Sequence, residues 1–223
     1  MTLISNILHN DYIIIASDKR RTITSAENKL ESVDDENKLL LGENYALGIQ
    51  GTLKTKKEKY LEKLRAFVKE NKIANPPEFI QKILKLFPDI EKDELVTELN
   101  FTVSGFYKDA LFSYYINVVN STVIDNIEND KYAIRANNEN DRLHDNSVLL
   151  RTLLIHIKRY LNDKGLYEGF KTPSLLHFDN KVLLNSLDFA YSKFHDNDLR
   201  YFTIGGQMEY CVFSNKAIID TNL

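Results

Sequence analysis

One cysteine in 223 residues leaves no internal disulfide to form. With no paired thiols to suggest a zinc site, Cys211 favours a reducing compartment, and a cytoplasmic location is expected. Long apolar runs are also missing. The first residues carry no basic segment, and the early apolar run 12–16 is far below the roughly 7 to 15 residues of a signal-peptide core. Nothing approaches a membrane span. Neither sign of charge dominates: 29 basic against 32 acidic residues give a formal charge of -3. So balanced a chain has no global field to draw nucleic acid or an anionic membrane, and neither is expected as a partner. The five histidines, His9, His144, His156, His177 and His195, form no ligand-like pair. His156 stands in an apolar helical stretch, where a hydrogen-bonded structural role is expected. No metal or organic cofactor is implied. No internal repeat or low-complexity linker interrupts the chain. With 43% hydrophobic residues there is enough apolar mass for one substantial core, so residues 1–223 read as a single domain.

What is present is a repeating order of strands and helix pairs. Runs 3–8 and 12–17 flank the polar turn His9-Asn10-Asp11 and should pair as a hairpin. A further strand begins at 22–24, the polar stretch 25–37 follows, and 38–41 and 45–49 form a second hairpin around Gly42-Glu43-Asn44. Helical spacing then places Tyr60, Leu61, Leu64, Phe67 and Val68 on one face and lysines on the rest. Pro76-Pro77 suit the start of a second helix that buries Phe79, Ile80, Ile83, Leu84 and Phe87. Strands return at 101–106 and 111–119 around Lys108-Asp109, then more weakly at 122–127 and 132–134. A second helix pair is expected at 147–162 and 182–194. The chain closes with strands at 202–204, 208–213 and 217–219. Burying every apolar face of so many strands requires two stacked sheets with helices on each side. The expected class is α+β, a four-layer αββα sandwich of two antiparallel sheets flanked by helix pairs.

Four stretches, TLISN…IIIASDKRRT from Thr2 to Thr22, KLLLGENYALGIQG from Lys38 to Gly51, VSGFYKDALFSYYI and IGGQMEYCVFSNKAII, resemble proteasome β-type subunits, members of the N-terminal-nucleophile hydrolases. With Thr2 as the first residue of a mature chain, TLISN…IIIASDKRRT is similar to their opening, whose second strand ends in an Asp-x-Arg-x-Thr motif, here Asp18-Lys19-Arg20-Arg21-Thr22. KLLLGENYALGIQG, from Lys38 to Gly51, resembles the lysine strand, turn and glycine-containing strand that follow. The interval from Asp18 to Lys38 is a few residues longer than usual, so Lys29 stays open as the site lysine. VSGFYKDALFSYYI and IGGQMEYCVFSNKAII resemble the family's later hairpins, and together the stretches span nearly the whole chain. Singly, each residue has an ordinary reading: Thr2 as any second residue, Asp18 as a strand end, Lys38 as a solvated strand residue. Their common order and spacing are what is specific.

The resemblance implies a chemistry. A neutral threonine hydroxyl is a poor nucleophile, and a free terminal amine can take its proton, so Thr2 would supply both nucleophile and base once Met1 is removed. Lys38 would favour the anionic oxygen, and Asp18 would hold that lysine charged and oriented. The Gly51 N–H would stabilise the oxyanion, while Thr22 and Gly51 would bind an extended substrate backbone, with Gln50 near the first specificity pocket. Active members usually carry a serine in a glycine-rich turn that corresponds here to YAIRANN, Tyr132 to Asn138, which lacks it. Tyr201 and Ile204 replace an aspartate and a serine that order the amine, leaving Asn137 or Asn138 to bond it. Three functions therefore stand open: a peptide or amide hydrolase, a catalytically silent relative kept for assembly or binding, and a small-molecule amidohydrolase. A homo-oligomer, ring or stack, is implied in either of the first two, and a regulatory ATPase partner is left open.

Overall fold

The computed structural model describes residues 3–24, 30–55, 59–88, 90, 96, 98–129, 134–137, 148–169, 174–197 and 206–223. Thr2, Lys29, Asn138, Tyr201, Ile204 and the strand expected at 202–204 lie outside these residues, and Thr22 and Asn137 are described by their backbone alone. The first half of the chain runs β1 (Ile4–Leu8), β2 (Tyr12–Asp18), β3 (Arg21–Thr24), β4 (Leu30–Val33), β5 (Leu39–Leu41), β6 (Tyr45–Gly51), α1 (Tyr60–Glu70), α2 (Pro76–Lys85) and β7 (Leu99–Tyr107). The second half runs β8 (Ala110–Asn117), β9 (Thr122–Asp125), the one-turn α3 (Asn126–Asn129), β10 (Ile134–Asn137), α4 (Val148–Asp163), α5 (Asn180–Asn197), β11 (Met208–Ser214) and β12 (Ile218–Thr221).

The strands form two five-stranded antiparallel sheets, β10-β1-β2-β11-β12 and β5-β6-β7-β8-β9, with β3-β4 as a separate ribbon. This is an α+β arrangement of two antiparallel sheets and four longer helices. Both β1 and β2 are buried along their whole length, which requires cover on both faces. Alternation along the strands assigns that cover. Leu3, Ile7, Ile14, Ala16 and Val212 of the first sheet share an apolar cluster with Leu153, Ile157, Leu183 and Leu187 of α4 and α5. Leu47, Ile49, Phe101 and Val103 of the second sheet share another with Leu61, Leu64, Phe79 and Ile83 of α1 and α2. The intervening residues Ile4, Ile15, Cys211 and Phe213 meet Leu39 and Ala46 of the second sheet in a third, smaller cluster.

Beside that third cluster the inward faces turn polar. Asn6 of β1 donates to Ser113 Oγ of β8 at 2.6 Å, Ser104 donates to Ser113 Oγ at 3.0 Å, and Asn126 Nδ2 reaches the same oxygen at 2.9 Å. Polar groups buried so deeply would cost about 1–3 kcal/mol each if left unpaired. Their mutual bonds tie β1 to β7, β8 and α3 in one register.

Local chemistry explains the element ends. At the β7–β8 turn Lys108 and Asp109 have φ of 47° and 59°, the paired left-handed conformation of a two-residue hairpin loop. Pro76 and Pro77 occupy the first turn of α2, where missing N–H groups cost nothing. Three expectations are corrected. The polar stretch 25–37 contains a strand, β4. The run 122–127 is divided, because Asp125 accepts the Ile127 N–H at 2.9 Å and starts a helical turn. Of the weak strand expected at 132–134, residues 132 and 133 lie outside the described residues, and Ile134 begins a strand that continues to Asn137, so the described part of the segment aligned with the family's serine turn is strand paired with β1.

Candidate functional site

The site grows from the end of β2. Asp18, its last residue, is fully buried, with Oδ1 accepting the Leu3 N–H at 2.8 Å and Oδ2 accepting the Arg20 N–H at 3.2 Å. Its backbone N–H in turn reaches the Leu3 carbonyl at 3.2 Å, so the chain enters β1 against this carboxylate. Tyr191 of α5 seals the same corner, its hydroxyl lying 3.0 Å from Ser5 Oγ and donating toward the carbonyls of Leu3 and Ala16 at 3.3 and 3.2 Å. Burial, more than the nearby Asp18 charge, raises the Tyr191 pKa, and the phenol stays neutral.

Lys38 arrives from the second sheet. It is 1% exposed, its Nζ lies 3.1 Å from Asp18 Oδ2, and it also donates to the Arg20 carbonyl. Burial lowers its pKa, while Asp18, Glu209 and Glu36 pull the other way. The result is a desolvated ammonium held by a carboxylate, an arrangement whose stability gain is small but whose loss of one partner is expensive. Arg20 is fixed in turn, its Nε and a terminal nitrogen bonding Asp34 at 2.6 and 2.8 Å in a bidentate pair that raises its pKa.

Gly51, Gln50 and Lys38 share one end of the second sheet, since the Ile49 N–H is given to the Lys38 carbonyl at 2.9 Å. Gly51 has a φ of 99°, and a Cβ there would stand 2.3 Å from the Glu98 carbonyl oxygen. Only glycine fits that position. Gln50, beside Asn100 of β7, is 2% exposed, and among the described residues neither its Oε1 nor its Nε2 has a hydrogen-bond partner. Thr22 lies in β3 opposite Ser32, and Asn137 in β10 opposite Ile4, at the same end of the first sheet as Leu3 and Asp18.

Asp18 and Lys38 are thus brought together, and Gln50 and Gly51 stand at the adjoining sheet end. One residue was missed. Glu209 of β11, side chain 2% exposed, accepts the backbone N–H groups of Lys38 and Leu39 on Oε2 at 3.1 and 3.3 Å, with Lys19 Nζ 3.7 Å from Oε1. Burial raises its pKa, and these partners oppose that shift. Its signal in the sequence was a single charge at a position whose period-2 companions, Cys211 and Phe213, are apolar and inward. Cys211 itself is no competing nucleophile: fully buried, its thiol is pushed up to about 12. His156 packs edge-on against Phe194 with ring centroids 6.0 Å apart, its pKa lowered by burial, Arg159 and Lys193. Among the described residues no group of three or more His, Cys, Asp or Glu could hold a metal ion, and no helix is long and apolar enough to cross a membrane.

No protein-family model matches the chain, and no curated protein is similar to it in sequence. Solved structures do match, 310 chains in all. A mutant of Anbu from Hyphomicrobium sp. strain MC1 superposes with a TM-score of 0.59 at 13% identity, covering 100% of this chain and 86% of that one. At that identity the likeness concerns fold: Anbu is a proteasome-like protein, and the chain is related to it in architecture.

Proposed function

We propose that the chain is a proteasome-like hydrolase of the N-terminal-nucleophile class that cleaves a peptide or other amide bond through Thr2. The observation that carries the reading is the buried Lys38–Asp18 pair, 3.1 Å long, whose carboxylate also takes the N–H of Leu3, the residue after Thr2. A buried charge pair adds little stability. Its position one residue from a hydroxyl, on a proteasome-like fold, supports a role in activating that hydroxyl.

With Met1 removed, the Thr2 amine accepts the proton as Oγ attacks the substrate carbonyl carbon. The developing oxyanion takes a hydrogen bond from the Gly51 N–H, a donor typically worth about 3–4 kcal/mol. The amine returns its proton to the departing nitrogen, leaving an acyl ester on Thr2 that water hydrolyses. Lys38 stabilises the charge on Oγ, and Asp18 holds Lys38 ionised against the pull of burial. Gln50 contributes a carboxamide to the first side-chain pocket, and Thr22 with Gly51 aligns the substrate as an added strand. The layering is αββα, each of the three apolar clusters filling one interface between layers. We place the enzyme in the cytoplasm, where a lone thiol such as Cys211 is at home, and assembled as a homo-oligomer.

A second reading, a silent relative with an assembly role, is favoured by one observation: within the segment aligned with the family's serine turn, the described residues Ile134–Asn137 are strand. Intact mass before and after an epoxyketone, which needs both a terminal amine and its hydroxyl, separates the two. A single adduct on chain that has lost Met1, absent from Thr2→Ala, is expected for the hydrolase. Processed chain that forms no adduct and turns over no peptide or small amide would leave the silent relative.

A further inference from the structure

We propose that Glu209 is a positioning residue for Lys38, fixing from the opposite sheet where its ammonium stands against Asp18. The catalytic consequence of this rests on the hydrolase reading above.

Among the described residues β5 is an edge strand of three residues, paired on one side with β6. An edge so short is poorly held by its ladder, and its outward N–H groups need acceptors when buried. Lys38 and Leu39, both nearly inaccessible, give consecutive N–H groups to one oxygen of Glu209. Glu209 sits on β11, paired opposite Ser17, the residue before Asp18. One carboxylate of the first sheet therefore grips the backbone of Lys38, and the neighbouring one on β2 grips its ammonium at 3.1 Å. Between them both ends of the lysine are referred to the same sheet, the one that carries Leu3. A four-carbon stem with free rotors would otherwise let the ammonium wander by more than a hydrogen-bond length. Glu209 also adds negative charge beside a cation that burial tends to neutralise, and Lys19 balances that charge from the other side.

A clasp that merely closed a sheet edge would leave Lys38's ionisation and the chemical step untouched, so both are read. Full-length wild type, Glu209→Gln and Glu209→Ala are first checked for folding by melting and near-ultraviolet circular dichroism. The titration of the Lys38 side chain is then followed by NMR, assigned with Lys38→Arg, which requires no turnover. In folded Glu209→Gln the Lys38 midpoint is expected to move down, and the rate constant of epoxyketone adduct formation to fall about ten- to hundredfold with initial binding changed less than about twofold. Glu209→Ala, which leaves both N–H groups without an acceptor, should lose more. An unmoved Lys38 midpoint in folded Glu209→Gln overturns the proposal. So does loss of folding in both variants, which would make Glu209 a requirement of the fold rather than of Lys38's place. If wild type itself forms no adduct but its Lys38 midpoint falls in Glu209→Gln, the positioning role stands and the hydrolase reading fails.

Discussion

At one end of the two sheets the chain draws Asp18, Lys38 and Glu209 out of water; at the other it ends in ordinary turns. The first corner holds three ionisable groups, each at most 2% exposed, joined across sheets by bonds to one another and to backbone. The second end, where His9-Asn10, Asp109 and Asn215 meet Leu8, Ile13 and Leu111, surrounds an open pocket of about 310 Å³. Its polar groups are local: Asp11 gives its N–H to His9 Nδ1, two residues back, at 3.2 Å. The two ends do comparable work in closing hairpins, yet among the described residues only one carries buried charge. Desolvating three ions is a poor way to stabilise a sheet end when turn residues suffice. What the charged corner adds is a cation held in one place beside the start of β1.

The strongest test of that contrast separates stability from placement. Asp18→Ala leaves the Lys38 ammonium without its carboxylate and the Leu3 N–H without an acceptor, and should cost about 3–5 kcal/mol in urea unfolding. Asp18→Asn combined with Lys38→Met removes both charges while keeping an acceptor for Leu3. That double variant should return to within about 1 kcal/mol of wild type, yet form no epoxyketone adduct. Equal destabilisation of the single and double variants would mean that shape, not charge, matters at this corner.

A smaller effect follows from pH. Desolvation leads in lowering the Lys38 pKa below its ordinary value of 10.5. The folded chain then binds that proton less well than the unfolded one. The contribution of Lys38 to stability is therefore full above about 10.5 and is lost as pH falls through the lowered folded value. Relative to Lys38→Met, wild type should gain stability as pH rises from the lowered folded value toward about 10.5. The buried tyrosines titrate in both proteins and cancel in the difference between their urea midpoints. A flat difference would place Lys38 in a better solvated setting than its burial indicates.

Much of this was readable from residues alone, for reasons that differ by element. The hairpins at 3–17 and 38–51 announce themselves through apolar runs broken by polar turns, and the helices through a 3.6-residue apolar period. Asp18 and Lys38 were legible from motif and spacing, but the choice between Lys38 and Lys29 was not, because the ribbon β3-β4 was hidden. Leu30–Val33 reads Leu-Glu-Ser-Val, too short and mixed for a period-2 signal, and it pairs outside both main sheets. Glu209 escaped because one carboxylate in an apolar strand does not say which backbone it meets. Its partners, Lys38 and Leu39, lie 171 and 170 residues away.

The smallest expected effect lies at the uncharged end. Asp109 takes a left-handed φ of 59° at the second loop position of a two-residue turn, where glycine is favoured. Relieving a side chain from that region is worth up to about 1 kcal/mol, less for aspartate, which tolerates it. Glycine gives part of this back through greater freedom in the unfolded chain. Asp109→Gly should therefore raise the melting temperature by only about 1–2 °C. Epoxyketone reactivity and the Lys38 titration should not move, because no described bond links Asp109 to Asp18, Lys38 or Glu209. A change in either larger than the change in stability would join the two ends of the molecule into one system, and the contrast between a structural end and a chemical one would be gone.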